Sequence, residues 1–208
     1  MVQNKTEPKR RGRPPAYDAD VALDRARDAF WDAGYAATSL DDLSAATGMK
    51  RPSLYGAFGD KEALYFKTVE RYRAVARAGL TRVLSGERPL EDELQRMYDL
   101  SLSLYLSGER PRGCFVIGTA TSEAVESEAA RKALRDTLHE IDAAIAARFR
   151  LAISRKELPK DCDADSLARL ASAVMQTLAL RARAGETRAA LRATAAAGVA
   201  LLVGRSPK

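Results

Sequence analysis

From Asp18 onward the apolar positions recur with a helical period. Leu23, Ala26 and Phe30 fall at i, i+3 and i+7, Ala22 and Ala29 flank them, and Gly34 supplies a stop. The spacing predicts a helix over 18–33. In "TSLDDLSAATG", Ser39 and Asp42 are spaced as a capping box, Leu43 and Ala46 face inward, and Gly48 is placed to end the helix in the left-handed region. The next stretch, "MKRPSLYGAF" at 49–58, has Pro52 in a first helical turn, where its missing N–H costs nothing, and Leu54 and Phe58 one turn apart. Two short helices joined by a tight glycine-containing turn make a helix-turn-helix. Beyond Asp60, a candidate N-cap, the period predicts helices at 61–84, 90–106, 114–124, 127–155, 163–183 and 187–203. The breaks are "SGERP", "SGERPRG", "ELPKD" and "RAGE", and no segment alternates with period two. The chain therefore reads as all-α, with about nine helices.

Charge changes this picture locally. The net charge is +6, but residues 16–60 hold eight aspartates against Arg25, Arg27, Lys50 and Arg51. The opening "MVQNKTEPKRRGRPP" carries Lys5, Lys9, Arg10, Arg11 and Arg13 against Glu7, with too few apolar residues to order itself, and reads as a flexible basic arm over 1–15. Attraction to a polyanion is expected from the arm, Lys50, Arg51 and Lys61, with acidic faces turned away.

Composition narrows the chemistry. Two cysteines and the lone His139 supply no disulfide framework, metal cluster or Ser-His-Asp triad, and no phosphate loop appears, so neither an enzyme nor a bound cofactor or metal is expected. The longest apolar run, near Ala195–Val203, is far short of the roughly 20 residues that span a bilayer, so the expectation is a soluble, cytoplasmic protein without a membrane partner.

The stretch "FWDAGYAATSLDDLSAATGMKRPSLYGAFGDKEAL" resembles the N-terminal DNA-binding domain of TetR-type transcriptional regulators. The resemblance implies a three-helix helix-turn-helix domain over 16–62 and a larger helical domain over 63–208 for ligand binding and dimerisation. In a helix-turn-helix the second helix enters the major groove by its N-terminal part. Arg51 and Lys50 stand there as readers of guanine, Pro52 would meet a thymine methyl, and Ser53 a base or phosphate. Gly56 allows close approach, and Tyr55 resembles the family's phosphate-contacting tyrosine. Thr38 and Ser39 lie where a helix N-terminus favours a phosphate, Lys61 adds another phosphate contact, and Arg10, Arg11 and Arg13 would reach the minor groove or anchor nonspecifically. Lys50 stands where the family often carries serine or threonine. Asp41 would accept from cytosine or repel phosphate.

In the second domain "PRGCFVIGTATSEA" resembles a subgroup with a Gly-Cys-containing sixth helix. Cys114, near a helix N-terminus and beside Arg112, would have a lowered pKa and sense oxidants, against the plainer reading of a buried small residue. Leu94, Met97, Tyr98, Leu102, Tyr105, Cys114, Phe115 and Gln176 are candidate lining residues for a small hydrophobic or aromatic effector. The helices at 163–183 and 187–203, rich in Leu167, Leu170, Ala171, Val174, Met175, Leu178, Leu191, Ala195, Gly198 and Leu202, would pair with a second copy. The expectation is a homodimeric repressor of a palindromic double-stranded DNA operator, released by ligand. Its rivals are an activator, a redox-sensing regulator using Cys114, and a helical adaptor that has lost DNA binding, which the eight aspartates favour.

Overall fold

The computed structural model describes residues 18–205. The roles expected of Arg10, Arg11 and Arg13 lie outside those residues. Among the described residues the chain forms nine helices and no strand: α1 Ala19–Ala33, α2 Leu40–Thr47, α3 Arg51–Phe58, α4 Lys61–Val83, α5 Leu90–Tyr105, α6 Phe115–Glu123, α7 Glu128–Ser154, α8 Ala164–Arg183 and α9 Arg188–Leu202. Local chemistry sets these ends. Asp18, Ser39, Asp60, Ser127, Asp163 and Thr187 each accept a hydrogen bond from a first-turn N–H, and Ser39 and Asp42 complete the capping box.

α1 packs on α2 and α4, and α4 continues from the small N-terminal unit into the larger one, where α7, α8 and α9 pack in succession and α5 crosses α8 and α9. Aromatic rings form the junction. Phe30 and Trp31 of α1, Tyr65 and Tyr72 of α4 and Phe115 of α6 meet mostly edge-on, with centroids 5.3 Å apart for Phe30–Tyr65, 5.5 Å for Trp31–Tyr72 and 5.7 Å for Trp31–Phe115. The Tyr65 hydroxyl is bonded to that of Thr119 at 2.8 Å, so α4 and α6 share a buried polar link.

The two "SGERP" loops turn on Gly86 and Gly108, both at positive φ. At the first loop the buried Glu93 carboxylate accepts from the N–H groups of Gly86 and Arg88 and pairs with buried Arg148, which also reaches Glu157 at 3.0 Å. Removing one partner would strand the other charge out of water.

Candidate nucleic-acid interface and effector cavity

α2 and α3 meet across a turn whose geometry is built from small polar residues. Gly48 sits at φ 71°, the Thr47 hydroxyl donates to Leu43 O at 2.7 Å and accepts from Met49 N–H at 3.3 Å, and Ser44 donates to Met49 O. Met49, Leu54 and Phe58 are thereby buried against the domain. Everything left outward is what the sequence pattern singled out: Lys50, Arg51, Pro52, Ser53, Tyr55 and Gly56 are all exposed. Lys50 occupies the N-cap without a side-chain cap. Gly56 has no internal reason to lack a side chain, since an added Cβ would meet nothing within 4 Å, yet glycine in a helix interior costs about 1 kcal/mol relative to alanine.

One placement here departs from expectation. Thr38 is buried, its hydroxyl donating to Gly34 O at 2.6 Å, so its side chain braces the α1–α2 turn and is not presented to a phosphate. Ser39 remains exposed as the cap of α2. The aspartates, though largely at the surface, are each engaged within the chain. Asp20, Asp24, Asp28 and Asp32 recur every four residues along α1 and are engaged by Arg71, Arg27 and Arg112, with Arg71 Nη1–Asp20 at 2.9 Å, Arg71 Nε–Asp24 at 3.0 Å, Arg27–Asp28 at 3.0 Å and Arg112 Nε–Asp32 at 2.8 Å. Asp18, Asp42 and Asp60 cap helices, and Asp41 holds the Arg51 guanidinium, Nε donating at 2.9 Å. Lys61 lies 4.5 Å from the Tyr35 ring centre and donates to Ala36 O at 3.4 Å, which keeps its ammonium beside the turn leading into α2.

A cavity of about 760 Å³ opens beside the aromatic junction. Its walls include Trp31 of α1, Tyr72 and Leu80 of α4, Leu104 and Tyr105 of α5, Cys114, Ile141 of α7 and Met175 of α8. Of the expected lining residues only Tyr105 and Cys114 are among them. Leu94, Met97, Tyr98, Leu102 and Phe115 are sealed in the core, where Tyr98 donates to Ala171 O at 3.0 Å. The Gln176 amide is buried away from the cavity. Lining and core residues share one apolar alphabet, which is why the sequence did not separate them. The thiol of Cys114 is pushed up, not down: burial outweighs the lowering effect of the Ile117 and Val116 N–H groups and the Tyr72 hydroxyl. Arg112 does not activate it, because its guanidinium is spent on Asp28 and Asp32.

Two family models match this chain. One, described as bacterial regulatory proteins of the tetR family, covers residues 22–68, and the other, described as a tetracyclin repressor-like C-terminal domain, covers residues 91–197. The chain belongs to the TetR family. This TetR-family chain is 34% identical over 179 residues, 85% of both chains, to the HTH-type transcriptional repressor ComR of Escherichia coli (strain K12). It is 41% identical over 51 residues, 24% of this chain and 28% of the relative, to the IcaR negative transcriptional regulator of the Staphylococcus epidermidis biofilm operon icaADBC. Among solved structures it is similar to a cysteine mutant of the TetR family regulator CifR complexed with a 26 bp double-strand operator DNA. The TM-score is 0.82 and the identity 33%, covering 90% of this chain and 98% of that one. Like its family, it is a transcriptional regulator and not an enzyme. Among the described residues no helix is long and apolar enough to cross a membrane, and no group of three or more His, Cys, Asp or Glu is placed to hold a metal ion.

Sequence reasoning missed the roles of Trp31 and Arg112 and the pairing of the α1 aspartates. The signal for the last was present: four aspartates at four-residue spacing on one predicted helix form a single stripe.

Proposed function

We propose that this TetR-family chain is a homodimeric repressor that binds a palindromic operator through α3 and leaves it when a small ligand enters the cavity. Residues 16–62 act as the DNA-reading unit, 63–208 as the ligand-binding and dimerisation unit, and the cytoplasm is the compartment in which it meets its DNA. The carrying observation is the outward face of α3, where Arg51, Pro52, Ser53 and Gly56 are presented without an internal packing role. Arg51 reads a base, held ready by Asp41, while Ser39, Tyr55 and Lys61 engage phosphates. The repressor names of ComR and IcaR support the sign of regulation. The adaptor reading loses its support, since each of the eight aspartates in residues 16–60 has a capping or ion-pair partner within the chain.

Selection of bound sequences from a random duplex pool tests the proposal, and an inverted repeat is the expected product. On that repeat Arg51→Ala should weaken binding by about tenfold to a hundredfold and relax sequence preference at one position, whereas Lys61→Ala should lower affinity evenly and reduce the salt slope by about one. Absence of duplex binding at low salt would overturn the reading.

A further inference from the structure

We propose that the cavity takes a small apolar carboxylate, and that Arg112 recognises it by exchanging the aspartates of α1 for the ligand's anionic group. This rests on the reading of the chain as a ligand-released repressor and names the ligand's class. The interior is apolar, built from Trp31, Tyr72, Leu80, Ile141 and Met175, and its volume suits the body of a medium-chain or aromatic acid. Five guanidiniums, those of Arg27, Arg73, Arg77, Arg82 and Arg112, stand on its walls beside the carboxylates of Asp28 and Glu140, and three of them also pair with Asp24, Asp136 and Asp32 outside the lining. Arg73 and Arg77 share Glu140, at 2.6 and 3.5 Å, and Arg82 has no ion pair among the described residues. The unpaired Arg82 favours an anion over a cation at the cavity wall.

Arg112 is the guanidinium that joins this cavity to the DNA-reading unit. It projects from the loop between α5 and α6, lies 5.5 Å from the Trp31 ring centre, and bonds Asp28 at 3.2 Å and Asp32 at 2.8 Å. Gly108 makes room for it, since a Cβ there would stand 2.8 Å from Arg112 Nε. Its own side chain is only 18% exposed, but Asp28 and Asp32 are 42% and 58% exposed, so both are rehydrated at little cost when Arg112 leaves, and Asp28 keeps Arg27. The buried Arg148–Glu93 pair has no such freedom. Trp31, whose buried Nε1–H has no hydrogen-bond partner among the described residues, offers a second donor where movement of Arg112 uncovers it. A carboxylate at the Trp31–Arg112 corner therefore gains a charge-assisted bond and unties the α5–α6 loop from α1, the helix on which α2 packs. The ligand then favours conformations in which the two α3 helices no longer match the operator, and operator weakens carboxylate binding by the same factor.

Trp31 is the single tryptophan of the chain, so its emission reports on this corner directly. Decanoate, decan-1-ol and decylamine share one apolar chain and differ in head group. Decanoate is expected to shift Trp31 emission saturably and to bind at least about tenfold more tightly than the other two, a gap of one charge-assisted interaction. It should also lower operator affinity measured by fluorescence anisotropy. Arg112→Gln should abolish the preference for decanoate over decan-1-ol, and Arg112→Lys, which keeps the charge, should restore part of it. A merely structural Arg112 would change all three affinities together. Equal binding of decanoate and decan-1-ol by the unaltered chain, or an undiminished preference in Arg112→Gln, would overturn the proposal. Operator binding without ligand is scored separately, so loss of the carboxylate preference leaves the repressor reading standing, and loss of operator binding leaves the emission test intact.

Discussion

Thr38 and Ser39 are neighbours with similar chemistry and opposite roles. Thr38 turns its hydroxyl inward to Gly34 O, and Ser39 caps α2 at the surface. Thr38→Val keeps the shape and deletes the inward bond, so it should lower unfolding stability by about 1 kcal/mol in a urea titration and leave the salt slope of operator binding unchanged. A lowered salt slope with unchanged stability would return Thr38 to the phosphate contacts. A hydroxyl at a turn is legible in sequence, but its direction is decided by the turn's backbone, which is not. Part of the outward set on α3 was legible for a different reason: Leu54 and Phe58, one helical turn apart, define the buried face, and Pro52, Ser53 and Gly56 follow as its complement, whereas Arg51, seven residues before Phe58, shares the buried register and is exposed at the first position of the helix.

Helix boundaries were legible because each is written in two or three adjacent residues, and every predicted end falls within one residue of the observed one from α4 onward. The partner of a helix is not written locally. Arg71 meets Asp24 from 47 residues away, and nothing near either residue announces the other. Asp24 shows what that pairing does. The hydrogen bond from Arg71 holds its carboxyl below the ordinary aspartate range, against the opposing effect of partial burial and with help from the charges of Arg27 and Arg71. A carboxyl with a lowered folded pKa contributes stability that is fully present above the unfolded aspartate pKa of about 4 and is lost as pH falls through the folded value. Asp24→Asn should therefore be less stable than the unaltered chain at neutral pH, and the difference should shrink as thermal unfolding is followed down to about pH 3. A difference that stays constant across that range would exclude the Arg71–Asp24 bond as its source.

For the whole molecule, α8 and α9 divide their apolar residues between two partners. Ala171, Met175, Leu178, Leu191, Ala195 and Leu202 are buried within the chain, and Gly198 lets α9 approach Val174, so these serve the intrachain core and not the dimer. Leu170, Ala173, Thr177 and Leu180 remain exposed along one stripe of α8, and Leu201 of α9 is exposed as well. Repetition at three and four residues is the pattern of a helix–helix seam, which suits an isologous contact with a second copy. Leu170→Glu combined with Leu180→Glu should give a folded monomer in sedimentation velocity, with helical circular dichroism retained and binding to a two-half-site operator lost. A dimer that survives both changes would place the interface elsewhere. The aspartate ladder of α1 reaches further than stability. Because arginines of α4 and the α5–α6 loop join Arg27 of α1 itself as its rungs, head and body are matched like a key to its own lock. A chimaera carrying this reading head on a relative's body would be expected to keep its target sequence but lose its response to ligand, unless Arg71 and Arg112 travelled with it.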